Sequence, residues 1–275
     1  MNLEIIPVYK CLDEYIDRVE RDAGSYEKLW HTCAIEPYWK TLCQYAPFDL
    51  SERKPAPIKD IAALKRQIEL LNSINLDELK LKCEEIAAAL PNYDDDTITI
   101  ALYPLPDDNL TVKERQNGVI GTSTFGNMII AVNPLARDFA HWIPYVFAHE
   151  YHHTVWGNYW FNHRRGELKN QFLESLIIDG QADCFALSFF PELKPIWIFG
   201  LSDNVLQALW EEEYSKLLFQ KDVDYCKYMF GDQASGIPWC AGYAIGYKLV
   251  HRFLTKNPAI TFRQLAELTP SEILV

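Results

Sequence analysis

The stretch Phe147-Ala148-His149-Glu150-Tyr151-His152-His153-Thr154 constrains this chain more than any other. Within it, His149-Glu150-Tyr151-His152-His153 reads H-E-x-x-H. On an α-helix, residues four apart lie one above the other on one face. His149 and His153 can therefore present two imidazoles to one cation. Glu150 falls about 100° round from His149. Its carboxylate then stands beside the ligands without occupying a ligand position, where it can take a proton from an activated water. That division of labour is the one zinc hydrolysis requires. The same five residues also occur by chance on helices, so the rest of the chain must supply what such a site still lacks.

A catalytic zinc site needs a third protein ligand and an open position for water. The helix expected over residues 170–190, ended by Pro191, offers Glu174, Asp179 and Asp183. With Phe172 as origin and 100° per residue, Leu176, Asp179, Asp183, Leu187 and Phe190 fall within about 60° of it. Both aspartates thus lie on the apolar stripe, whereas Glu174 falls about 160° away and is expected to be exposed. A buried carboxylate costs several kcal/mol unless it is paired or holds a cation, and two of them four residues apart also repel. A metal and its imidazoles relieve both problems. Asp179 would bind the ion, and Asp183 would accept the outer N–H of a ligand histidine. The alternative is that both aspartates cap something or pair with Arg164, Arg165 or Arg252. Gly180, inside the same helix, implies close approach of another backbone. The H-E-x-x-H helix is the expected neighbour.

Around this pair the chain reads as α+β and mainly helical. Residues 1–95 form a helical N-terminal region, with apolar residues at helical spacing over 12–19, an aromatic-rich 26–45 and an amphipathic 61–71. A further helix starts at Asn75 and runs to 89 or 90. At residue 96 the pattern changes. Thr97 to Tyr103, Gly118 to Gly121 and Asn127 to Val132 read as strands, with Gly126-Asn127 as a turn. They predict a small antiparallel sheet beside the active-site helix in a second domain, 96–275. Pro144 is placed as a first-turn residue of the H-E-x-x-H helix and Gly157 as its stop. Helices are also expected from Ser202-Asp203, over 243–254, and in one or two short pieces after 259.

With 49% hydrophobic residues, the 275-residue chain can build a sizeable core. Its net charge of −12 argues against a nucleic-acid or anionic-membrane partner. The seven cysteines are odd in number, widely spaced and without C-x-x-C, as reduced thiols would be. Met1 to Pro7 does not read as a signal peptide, and no apolar run reaches the length of a membrane span. The expectation is a soluble, cytoplasmic protein.

The motif, then Asp179-Gly180-Gln181-Ala182-Asp183, then Gly242-Tyr243-Ala244-Ile245-Gly246-Tyr247, resembles a predicted zinc-dependent protease family of bacteria. Members carry H-E-Y-H-H, and the family is catalogued as a domain of unknown function. It is similar in layout to gluzincin metallopeptidases such as thermolysin, which implies a zincin-like fold and, at Met128 to Val132, a sheet edge that takes an extended peptide. The resemblance spans roughly Thr97 to Leu268. It implies His149 and His153 as zinc ligands, Glu150 as general base and an acidic third ligand at Asp179. The family more often has Glu there, and the shorter aspartate would need its helix to sit closer. Asp183 matches the acid that supports a ligand histidine in gluzincins.

Tyr243, Tyr247 and His251 recur at i, i+4 and i+8 on the last long helix. A phenol packed over the site can donate to a developing oxyanion. A core tyrosine stripe is the alternative. His152 reads as a satisfied polar or rim residue, His141 and His163 as surface histidines, and Cys184 as a packed thiol. The resulting expectation is a zinc metallopeptidase acting on a peptide or protein substrate. The competing expectations are a zinc-bearing regulatory or partner-binding protein without hydrolysis, and a metal-free helical domain.

Overall fold

The computed structural model describes residues 2–46, 49–93 and 97–274. The division expected near residue 95 lies outside them. The chain splits into two compact units, Met1–Thr154 and Val155–Val275.

The first unit is built on a four-stranded mixed sheet. The strands are β1 (Asn2–Pro7), β2 (Thr97–Pro104), β3 (Val119–Ser123) and β4 (Met128–Val132), in the order β1-β2-β4-β3. β1, β2 and β4 run parallel, and β3 returns antiparallel to β4. The sheet is therefore mixed, not antiparallel, and the N-terminal region is not purely helical, because it contributes a strand. β4 lies inside the sheet, so the edges are β1 and β3. Burial explains the parallel arrangement. Every residue of β2 after Thr97, and all of β4, is buried, as expected of strands covered on both faces.

Helices α1 (Asp13–Arg21), α2 (Tyr26–Trp30), α3 (Glu36–Leu42), α4 (Ile61–Leu71) and α5 (Leu76–Ala89) separate β1 from β2. Asp60 and Asn75 cap α4 and α5 by accepting main-chain N–H groups. Val8, Leu12, Tyr15, Trp30 and Ile35 share one apolar cluster with Ala101 and Tyr103 of β2 and Ile129 and Ala131 of β4. These sheet residues alternate, so the N-terminal helices cover one face of the sheet. The Tyr103 hydroxyl closes the contact by donating to the Ala34 carbonyl at 2.8 Å. A short helix, α6 (Leu110–Arg115), precedes β3.

Helix α7 (Phe139–Gly157) carries the H-E-x-x-H residues, and the division between the units falls inside it, after Thr154. It starts earlier than expected, so Pro144 sits within the helix instead of at its first turn. Gly157 is right-handed helical (φ −62°, ψ −43°), and a π-helical turn, Asn158–His163, runs on from it. A stop glycine would need the left-handed conformation.

The second unit holds α8 (Phe172–Phe189), α9 (Ile196–Phe199), α10 (Asp203–Leu209), α11 (Ser215–Leu217), α12 (Ala241–Lys256), α13 (Phe262–Glu267) and α14 (Pro270–Ile273). α8 and α12 touch backbone to backbone. A Cβ on Gly180 would overlap the Gly246 carbonyl, and a Cβ on Gly246 would overlap the Leu176 carbonyl. The partner that Gly180 admits is thus α12, not the H-E-x-x-H helix. Leu176, Ile177, Ala244, Ile245 and Val250 are buried in the shared core. Among the described residues, no helix is long and apolar enough to cross a membrane.

Candidate metal centre

On α7 the helical repeat brings the two imidazoles together. His149 Nε2 and His153 Nε2 lie 3.0 Å apart. Two nitrogens bound tetrahedrally to one zinc at about 2.05 Å would be roughly 3.3 Å apart, so the pair is already set for a shared ion. Asp179 of α8 supplies a carboxylate oxygen, and the three ligand atoms all lie within 4.8 Å of one another. Asp179 is buried, whereas both histidines are half-buried. Two imidazoles and one carboxylate form a donor set that zinc accepts, with a fourth position left over. The residues fit the metal.

Glu150 is not one of the three grouped residues. It is buried at 8% exposure, and its Oε2 accepts the Ser123 amide N–H at 2.7 Å. Gly121, two residues earlier on β3, makes the room. A Cβ there would overlap Glu150 Cγ and stand 2.6 Å from Oε1. Sequence reasoning missed both partners. The available signal was a glycine inside a strand, which marks close approach by another group.

Asp183 has no exposure, and Asp179 has 4%, as the apolar stripe requires. Asp183 Oδ1 accepts the Trp197 indole N–H at 3.3 Å, a partner that no sequence pattern indicated. Of the competing arginines, Arg164 is engaged with Glu167, and Arg165 and Arg252 are exposed. Glu174 is half-buried, not exposed, because its carboxylate accepts the Lys169 amide just before α8 at 2.7 Å. His152 is fully buried, which rules out a rim position. His141 and His163 are exposed, and Cys184 is a buried thiol.

Tyr243 and Tyr247 lie on the α12 side of the glycine contact. Burial, and next the negative charge of Asp179, pushes the Tyr243 phenol well above the ordinary tyrosine range. Burial pushes Tyr247 up to about 12, with Cys184 and Asp183 adding to it. Both phenols stay protonated at neutral pH and can donate. Tyr247 stacks on the exposed His251 with ring centroids 5.3 Å apart. Tyr243 packs on Phe230 at 5.7 Å, which packs on Tyr225 at 5.7 Å. Phe230 closes a π-helical turn, Cys226–Phe230, that the periodicity did not indicate.

Residues 79–275 match the family model described as Predicted Zn-dependent protease (DUF2268). The chain belongs to this family. The match begins inside α5, earlier than the Thr97 start of the resemblance. The chain is also similar to the uncharacterized protein YjfC of Bacillus subtilis (strain 168), at 27% identity over 187 residues. That alignment covers 64% of this chain and 60% of YjfC, so the chain spans about 60% of the length of this curated relative. No solved structure matches. The family's description implies zinc dependence and proteolysis, and the His149, His153 and Asp179 group is the place among the described residues where an ion can be held.

Proposed function

We propose that the protein is a zinc metallopeptidase of zincin-like fold, hydrolysing peptide bonds in a peptide or protein substrate. One observation carries the reading. His149, His153 and Asp179 converge within 4.8 Å, while the Glu150 carboxylate is held outside that group by the Ser123 amide, in the room that Gly121 leaves. A purely structural metal site has no use for a separately held carboxylate, and it usually closes its fourth position with a protein ligand.

His149, His153 and Asp179 hold the ion, and Asp183 supports a ligand histidine. Zinc bound there supplies Lewis acidity, which lowers the pKa of a water towards about 7. Glu150 takes the proton of the attacking water on the carboxylate oxygen that Ser123 does not hold. The water oxygen adds to the scissile carbonyl carbon. As the C–N bond breaks, Glu150 passes that proton to the leaving amine. Tyr243, protonated and beside Asp179, donates to the developing oxyanion, with Tyr247 one turn further along α12.

Strand β3 supports a site for the substrate backbone. The Thr124 N–H to Asn127 carbonyl bond and the Asn133 N–H to Gly118 carbonyl bond set the ladder's alternation. Val119, Gly121 and Ser123 therefore turn their peptide groups away from β4. A substrate strand can add at Gly121, next to Glu150. The seven free thiols favour a reducing compartment, the cytoplasm.

The test is cleavage of a peptide library by the zinc-loaded protein. Wild type is expected to cut, and Glu150→Gln is expected to keep its zinc and lose at least about 10³-fold in rate. A Glu150→Gln variant with wild-type activity would remove Glu150 from the mechanism.

A further inference from the structure

The β3–β4 hairpin that holds Glu150 is itself held from the N-terminal region. Thr124 and Asn127 at its tip are both fully buried. Thr124 Oγ1 donates to the Leu42 carbonyl at 2.6 Å. Asn127 Nδ2 donates to the Thr41 carbonyl at 2.7 Å. The Asn127 side-chain oxygen accepts the Thr99 amide at 2.8 Å, which ties the tip to β2 as well. The tip turns through Phe125 (φ 62°) and Gly126 (φ 154°). The Tyr45 ring sits where a Cβ on Gly126 would lie. Three contacts from residues 41–45 therefore converge on three residues of the hairpin tip, Thr124, Gly126 and Asn127. The residue directly before Thr124 is Ser123, whose amide orients Glu150 Oε2. The Ser123 hydroxyl meets Thr154 Oγ1 at 3.1 Å, one turn along α7 from Glu150.

We propose that residues 41–45, at the end of α3, position the Glu150 carboxylate by clamping the β3–β4 hairpin. Residues 41–45 lie outside the 79–275 stretch that matches the family model. Thr124 is a positioning residue here, acting through Ser123. The inference rests on Glu150 being the base, but the clamp can be read without catalysis.

The variants are Thr124→Val, which keeps shape and loses the donor, Thr124→Ser, which keeps the donor, and Tyr45→Ala, which alters a half-exposed ring and spares the buried bonds. Amide hydrogen exchange at Ser123 is measured in the metal-free 275-residue chain, with Ile130 of β4 as internal reference. Thr124→Val is expected to speed exchange at Ser123 at least about tenfold and leave Ile130 unchanged. On a cleaved peptide, the zinc-loaded variant is expected to lose about tenfold in kcat with KM and zinc content unchanged. Thr124→Ser is expected to restore both readouts, and Tyr45→Ala to move both in the same direction by about threefold. If Thr124→Val does not fold, Tyr45→Ala carries the test. Unchanged Ser123 exchange overturns the clamp, as does faster exchange with unchanged kcat. If wild type cleaves no peptide but Ser123 exchange responds as expected, the peptidase reading fails and the clamp stands.

Discussion

Glycines do opposite work in the two units. In the first, Gly121 of β3 leaves a gap that a polar side chain fills, the Glu150 carboxylate. In the second, Gly180 and Gly246 leave no gap at all, because two helix backbones close onto each other. One contact places the proposed base, and the other sets the helix that carries Asp179 against the helix that carries Tyr243. A methyl group at the first site meets a movable side chain, whereas a methyl at the second meets a backbone carbonyl. Base placement and ligand placement can therefore be broken separately.

The largest effect is expected from Gly180→Ala. Overpacking against the Gly246 carbonyl should cost about 3 kcal/mol and reduce zinc retention, read by thermal unfolding together with metal analysis. A stable, zinc-replete variant would mean that α8 and α12 can separate without disturbing Asp179. Gly121→Ala comes next. It should lower kcat about 10²-fold through displacement of Glu150, while zinc content and melting temperature stay near wild type. Loss of zinc in that variant would erase the contrast between the two contacts. The smallest effect concerns only the first unit. Tyr15 donates to the Ile58 carbonyl at 2.7 Å, and burial, then Tyr26 and Cys33, pushes its phenol up to about 12. A folded pKa above the unfolded value of about 10 favours the folded state below that pH, and this advantage fades as pH rises from about 10 to about 12. Tyr15→Phe should flatten part of that alkaline loss in a denaturant series. An unchanged slope would place the loss in other buried tyrosines.

Much of the second unit was legible because helical periodicity is local. The apolar stripe from Phe172 placed Asp179 and Asp183 inward, and both are buried. Ser202 caps α10 as its sequence suggests, by accepting the Val205 amide. The first unit was harder because its sheet depends on long-range pairing. β1 pairs with β2 across some ninety intervening residues, and its short run ending in Pro7 gives no alternation to read. The edge expected at β4 rests on the likeness to gluzincins, not on its own residues, and β2 and β3 flank it on both sides. The hold on Glu150 is a backbone amide and a missing side chain, neither of which leaves a chemical motif. Gly157 looked like a helix stop because composition does not reveal whether a glycine is right- or left-handed.

Metal analysis of the purified 275-residue chain, with Asp179→Ala and Glu150→Gln prepared alongside, decides whether His149, His153 and Asp179 hold zinc. One zinc per chain is expected in wild type and in Glu150→Gln, and none in Asp179→Ala. Full zinc occupancy in Asp179→Ala, or a wild-type protein that binds none, would contradict it.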